Sequence, residues 1–423
     1  MTKVAFYNSP KVRSAIYQLA VVATIIWFGV EFAINAKANL DAQGVRFGFR
    51  FLDDPAGFGI SQSLIAYSEQ DTYRRVFYVG LLNTLLVSVL GIVFATILGF
   101  AIGLARLSPN WLLARLAGGY VELVRNLPLL FQILFWYLAV LIALPGPRQS
   151  IGLGVQPFLL AAADGFSWLE RYGVPAAIAQ SWRGLADWVG PPAIYLNNRG
   201  LIMPRALFGE GSGLVAAMLA LAVVLTIGLR FWARRRQDAT GRQFPIFLTA
   251  LALVVGLPAA AFLVAGTPVS FEAPVLRGFN FVGGTRVLPE FTALLLALST
   301  YTAAFIAEVV RAGVLAVPKG QTEAAMALGL RRGKVLRLIV VPQALRVIIP
   351  PLTNQYLNLI KNSSLAVAVG YPDLVAVFAG TTLNQTHQAI EIIAITMAVY
   401  LLISLATSLA MNIYNARTRL TER

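Results

Sequence analysis

Eight runs of mostly apolar residues, each close to the roughly 20 that a helix needs to cross a bilayer, are spaced along this chain. They cover about 14–36, 78–105, 122–144, 213–232, 245–265, 289–310, 347–378 and 388–412. So many runs carry more apolar surface than a water-soluble core can bury. The charge content agrees: 13% of residues are Asp, Glu, Lys or Arg, against about 25% in soluble domains. A transmembrane β-barrel is excluded, because its strands read as short alternating segments. The expected fold class is all-α, a polytopic membrane protein of about eight transmembrane helices. The first run lacks a small-residue cleavage site and reads as a retained anchor. The 347–378 run is too long, and too polar in its middle, for one straight helix.

The loops set orientation. Lys3, Lys11 and Arg13 precede the first run with no acid among them. Loop 37–77 balances Lys37, Arg46, Arg50, Arg74 and Arg75 against Asp41, Asp53, Asp54, Glu69 and Asp71. Segment 106–121 is basic, 145–212 is mixed, and 230–243 reads RFWARRRQDATGRQ. Segment 311–346 carries Arg311, Lys319, Arg331, Arg332, Lys334, Arg337 and Arg346 against Glu323, and the tail NARTRLTER is basic. Basic and mixed loops alternate, as an even number of spans with both termini in the cytoplasm requires. The net charge of +15 therefore marks membrane orientation rather than nucleic-acid binding, which needs a basic soluble domain. The absence of cysteine and the single histidine, His387, exclude a thiolate or His-rich metal site. His387 falls in a short outer loop and reads as solvated.

Segment 145–212 is rich in Pro and Gly and carries Trp168, Trp182 and Trp188. A structureless loop of that length is unusual. Its tryptophans predict short helices lying at the outer interface. No internal repeat is visible.

The most specific segment is QTEAAMALGLRRGKVLRLIVVPQA, residues 321–344. Its pattern predicts a short helix with a small-residue face at Glu323, Ala324 and Ala325. A bend follows at Gly329, where a Cβ would resist it, then a basic amphipathic stretch ending at Pro342. By composition alone, it is an ordinary solvated loop helix. Its spacing resembles the cytoplasmic EAA loop of binding-protein-dependent ABC importers. That pattern is Glu-Ala-Ala, three residues, Gly, nine residues, Ile, one residue, Leu, Pro. Glu323, Ala324, Ala325, Gly329, Ile339 and Pro342 match, while Val341 stands in place of leucine. The resemblance implies a coupling helix that docks on a separate ATPase subunit.

Flanking segments narrow the resemblance to the polar-amino-acid permeases. YVELVRNLPLLFQILFWY (120–137) is similar to that family's Arg-Gly-Thr-Pro-Leu-Leu stretch, with Asn126 and Leu127 departing. Lys361 to Leu365 is similar to its Lys-Asp-Thr-Ser-Leu. The resemblance covers 78–144 and 289–415 and implies a five-helix type I ABC importer core in two parts. Residues 1–77 are then an N-terminal transmembrane anchor with a periplasmic loop. Residues 145–288 are an insertion with a periplasmic segment and two extra transmembrane helices. A coupling loop spans 312–346 and a cytoplasmic tail 416–423. This enlarged layout is similar to the first permease subunit of general L-amino-acid and of glutamate/glutamine/aspartate/asparagine importers. It implies a bacterial inner-membrane transport subunit with no enzymatic activity or cofactor of its own. ATP and Mg would bind a partner ATPase dimer. The other implied partners are a second, related permease chain, a periplasmic amino-acid-binding protein and the lipid bilayer.

Gly329 to Val335, GLRRGKV, is not a P-loop: three residues separate the glycines, and valine follows the lysine. A membrane enzyme would need a set of ionisable residues inside the spans, and only scattered pairs occur. An ion-coupled secondary transporter is compatible with a broken helix near Lys361, but leaves the coupling loop unexplained. Glu308 with Arg311, and Glu122 with Arg125, stand three apart on a helix and are expected to pair. Gly99 and Gly103 form GxxxG, which permits a close helix contact.

An amino acid crosses as a zwitterion, so its path must offer polar groups at membrane depth. Asn354, Asn358 and Lys361 fall at i, i+4 and i+7, one helical face, and Asn362, Ser363 and Ser364 follow. These groups are candidates for the substrate path; equally, they can bond neighbouring helices. Lys361 is placed to meet a substrate carboxylate, Asp373 or an acid on a partner chain.

The loop charges make one prediction. A reporter active only in the periplasm should work when fused near Gly165 and stay silent near Ala239, and the reverse pattern would overturn the eight-span topology.

Overall fold

The computed structural model describes residues 10–42, 48–169, 172, 180–183, 194–266 and 268–418. Lys3, Trp188 and the tail from 419 lie outside the described residues, as does the side chain of Trp168. The helices are α1 (Pro10–Ala42), α2 (Tyr73–Ala105), α3 (Trp111–Asn126), α4 (Leu129–Leu134) and α5 (Val155–Leu169). Next come α6 (Ser212–Thr240), α7 (Ile246–Val264), α8 (Pro289–Leu315), α9 (Lys319–Ala327) and α10 (Arg332–Val335). The last are α11 (Val341–Asn362), α12 (Leu383–Thr386) and α13 (Ala389–Thr418). Seven described helices are long and apolar enough to cross a membrane, and one bent pair raises the number to eight.

The bent pair corrects the third expected span. The run 122–144 is not one helix: α3 and the segment 129–141 meet at 107°. Pro128 has no N–H to continue a helix, and it forces Leu127 into an extended conformation at ψ 131°. The carbonyls freed at the break are not orphaned. The Gln132 side chain donates to the oxygens of Val124 and Leu127, both at 3.0 Å. In the 347–378 run α11 ends at Asn362, a tight 3-10 turn covers Ser363–Val369, and Gly370 turns the chain at φ +74°.

The chain divides into two compact units, Met1–Trp136 with Ala293–Arg423, and Tyr137–Thr292. In the first, α8 is the central helix: 61% of its apolar window is buried, against none for α1. Small residues Ala293, Ala297, Ala303, Ala304 and Ala307 let its neighbours approach. The GxxxG of α2 meets this helix. A Cβ on Gly99 would lie 2.6 Å from the Ile306 Cβ, and one on Gly103 2.8 Å from the Ala307 oxygen. A second core joins Phe51, Tyr73 and Val76 to Leu374, Phe378 and Ile392.

The second unit pairs α6 with α7 and carries strands that sequence reading missed. β1 (Ile151–Leu153), β2 (Ile194–Asn197), β3 (Gly200–Met203) and β8 (Thr285–Val287) form one antiparallel sheet in the order β1-β2-β3-β8. β4 (Arg205–Phe208) pairs with β5 (Val269–Glu272), and β6 (Val275–Arg277) with β7 (Asn280–Val282). Segment 145–212 was expected to carry short helices. Its described residues hold the helix α5 and, in addition, four strands that were not expected. Strands of three or four residues are too short to show alternation, and the partners of β3 on β8 and of β4 on β5 lie 61–86 residues away. These pairings require the loops before α6 and after α7 to share one side of the membrane, so α6 and α7 form a hairpin.

Gly99→Leu should overpack the contact with α8 at about 1–3 kcal/mol. Thermal unfolding in detergent should show a lowered midpoint, whereas Gly228→Ala, with no atom within 4 Å of the new Cβ, should not.

Candidate functional site

The segment 319–342 is built as a platform. Its helix α9 ends in a Schellman turn: the Gly329 N–H donates to Met326 O at 2.9 Å and the Leu330 N–H to Ala325 O at 3.2 Å. That closure needs Gly329 at φ +78°, a left-handed conformation costing an L-residue about 1–2 kcal/mol. The accompanying apolar contact is present. Ala325, Val335 and Val340 are buried together, with Val314, Val317, Leu330 and Ile339 packed around them. Pro342 stands in the first turn of α11, but it does not end the amphipathic stretch as expected: the helix runs on from α10 through a wider π-helical turn at Leu336–Val340, with Val340 and Val341 both in the right-handed helical region.

The expected small-residue face is therefore divided. Ala325 points inward and seats the helix, while Glu323 and Ala324 are exposed. Ile339 is half-buried beneath α9, so it supports the platform rather than forming its surface. Two residues that the motif does not contain stand out beside Glu323: Leu328 is 82% exposed and Met326 49%. Their signal was in the sequence, as apolar residues on a helix that otherwise reads as solvated. An exposed small face rimmed by two large apolar side chains suits protein docking.

The polar candidates of the long run occupy two environments. Asn354, Asn358 and Lys361 share one exposed face of α11, while Ile348, Ile349, Leu352, Leu359 and Ile360 bury the other. Asn362 and Ser364 are half-buried, and Ser364 Oγ donates to Lys361 O at 2.7 Å. Ser363 is buried and donates to Ile360 O at 2.7 Å, so it closes the helix end. Lys361 does not neutralise Asp373. The lysine is exposed, whereas Asp373 is fully buried and accepts from the Ala376 N–H at 2.8 Å.

Two buried polar residues of α2 hold the broken segment, and sequence reading passed over both. Asn83 Nδ2 donates to Gln62 O at 2.9 Å and to Pro372 O at 2.8 Å. Thr84 Oγ1 accepts from the Leu374 N–H at 3.0 Å. Their signal was an Asn-Thr pair inside an apolar run, where polar residues face protein rather than lipid.

Of the expected ion pairs, Glu308 binds Arg311 at 2.7 Å and also Arg106 across from α2. Glu122 and Arg125 do not pair: the Arg125 guanidinium lies over the Phe305 ring at 5.0 Å. His387 is exposed at the end of α12, at φ +58°. Among the described residues no cluster of His, Asp and Glu could hold a metal.

A family model described as binding-protein-dependent transport system inner membrane component matches residues 239–420. The chain is 50% identical to the general L-amino acid transport system permease protein AapQ of Rhizobium johnstonii, over 99% of this chain and 95% of that one. It is 51% identical to the putative amino-acid ABC transporter permease protein YhdX of Escherichia coli K12, over 99% and 97%. It is 42% identical to the glutamate/glutamine/aspartate/asparagine transport system permease protein BztB of Rhodobacter capsulatus, over 97% and 95%.

Gly329→Asp should distort the Schellman turn and displace the exposed face of α9. Substrate uptake should fall at least tenfold with membrane insertion intact, as read by vesicle transport beside immunoblotting of the membrane fraction. Normal uptake would remove Gly329 from any coupling role.

Proposed function

The chain belongs to the family of binding-protein-dependent transport system inner membrane components, and on that footing we propose that it is a permease subunit through which amino acids enter the cell. The observation that carries this reading is the platform at 319–342, where a positive-φ glycine and a buried alanine hold an exposed helix face outward. Glu323, Ala324, Met326 and Leu328 form that face and meet an ABC ATPase dimer. Ala325, Gly329, Ile339 and Pro342 position it. Hydrolysis of ATP with Mg belongs to that partner, and this chain is a transport subunit without a catalytic site.

The rest of the assembly follows from the same reading. The platform lies in the cytoplasm, as do both termini. A single crossing by α8 then puts the sheets of the second unit outside, in the periplasm, where a binding protein delivers substrate. The exposed polar face of Asn354, Asn358 and Lys361 is unsuited to lipid. It faces the substrate path, formed together with a second, related permease chain. Lys361 supplies a cation for the substrate carboxylate and Asn358 a neutral donor and acceptor, with Asn362 and Ser364 at the end of the row. The broad amino-acid names of the relatives support amino acids as the class carried. An ion-coupled transporter would leave the platform without a task.

The test is Asn358→Leu in the assembled complex, with uptake of several amino acids measured beside ATP hydrolysis. Uptake or its selectivity should change severalfold while assembly survives. Unchanged uptake across the series would take Asn358 off the path.

A further inference from the structure

The sheets of the second unit carry a cluster of cations that the membrane orientation does not explain. Positive loops favour the cytoplasmic side, yet Arg148, Arg199, Arg277 and Arg286 sit in the strand-bearing loops that the proposed topology puts outside. Among the described residues none of the four forms an ion pair with an acid. Three of them are contiguous. Arg199 occupies the two-residue turn between β2 and β3, and Arg286 lies on β8 directly across from Ile202. Among the described residues their side-chain hydrogen-bond partners are neutral. Arg199 donates to the Asn280 side chain, and Arg286 Nε donates to the Arg199 carbonyl at 2.9 Å. Arg148 donates to Gly278 O at 3.2 Å, with its guanidinium 3.9 Å from the centre of the Phe279 ring.

These contacts hold two guanidinium groups beside one hollow without neutralising them. The hollow, of about 180 Å³, is walled by Arg199, Arg286, Asn280, Phe281 and Gly284. A second hollow of about 230 Å³ adjoins it through Arg199, with Arg148 and Phe279 on its rim. Neither reaches the roughly 300 Å³ at which small-molecule sites begin, but each has room for one protruding side chain. Around them Phe279 is 71% exposed. Exposed arginine beside exposed aromatic rings is the composition of protein interfaces. Arginine forks left un-neutralised by neutral acceptors can take a carboxylate or a phosphate in two parallel hydrogen bonds.

We propose that this surface docks the periplasmic amino-acid-binding protein, one carboxylate side chain of which enters the hollow between Arg199 and Arg286. The proposal rests on the importer reading above, and it gives the enlarged insertion a task that the minimal core does not contain. Charge complementarity across the contact also raises the rate of encounter, and that gain falls as salt screens it.

The experiment uses the complete transporter in nanodiscs, with purified binding protein loaded with an amino acid. ATP hydrolysis is followed against binding-protein concentration at low and at physiological salt. For Arg286→Glu and for the double variant Arg199→Ala with Arg286→Ala, the half-maximal concentration should rise at least tenfold and lose much of its salt dependence. Arg286→Lys should fall in between. Because the chain has no cysteine, Asn280→Cys carrying a photoreactive maleimide tests proximity independently of energetics, and should cross-link to the binding protein. Wild-type stimulation with an unchanged half-maximum in Arg286→Glu, and no cross-link, would overturn the docking surface alone. Absence of stimulation in the wild type would overturn the importer reading and the surface with it. A response that follows the anionic phospholipid content of the nanodisc, and not the binding protein, would assign the arginines to lipid and overturn the proposal.

Discussion

A helix broken at membrane depth must find partners for the backbone groups it frees, since the hydrocarbon supplies none. Each group left unpaired when buried costs about 1–3 kcal/mol. The first unit meets this constraint twice. At Leu127–Pro128 the Gln132 amide reaches back to two carbonyls. Between Ser363 and Leu374 the chain leaves α11, and Asn83 and Thr84 of α2 take over the hydrogen bonds. These few polar side chains let long apolar segments bend without unravelling, and Asn83 and Thr84 tie the broken segment to α2.

The same economy shapes the platform. Its exposed residues make little contact within the chain, and its rigidity comes from beneath. The buried trio Ala325, Val335 and Val340 fixes α9 against the end of α8, and Gly329 closes the turn. Packed side chains, Val314 of α8 among them, join the underside of α9 to the end of α8. In α8 itself, Glu308 binds two arginines from two directions, which ties this end of the helix to α2.

The second unit follows different rules. Its helices α6 and α7 bury few residues, Ala222, Ala233 and Ala261 among them, as suits helices facing lipid. Its order comes from short strands that pair between two distant loops. Those strands set the arginines of the turn and of β8 side by side, although 87 residues separate Arg199 from Arg286.

Membrane residence, the position of most spans and the platform segment were legible in the sequence. Apolar length has a direct physical meaning in a bilayer, and helix-closing glycines and prolines act locally. The Glu308–Arg311 pair was legible for the same reason, being three residues apart on one helix. Tertiary structure alone decided which residue of a local pattern points inward. It turned Ala325 into the core while leaving Ala324 exposed, and it gave Arg125 an aromatic ring in place of Glu122. It also made Asn83 and Thr84 the partners of a segment some 290 residues away, and it paired strands too short to show a period. Local spacing carries information about neighbours along one helix, whereas burial and long-range hydrogen bonds depend on which elements meet.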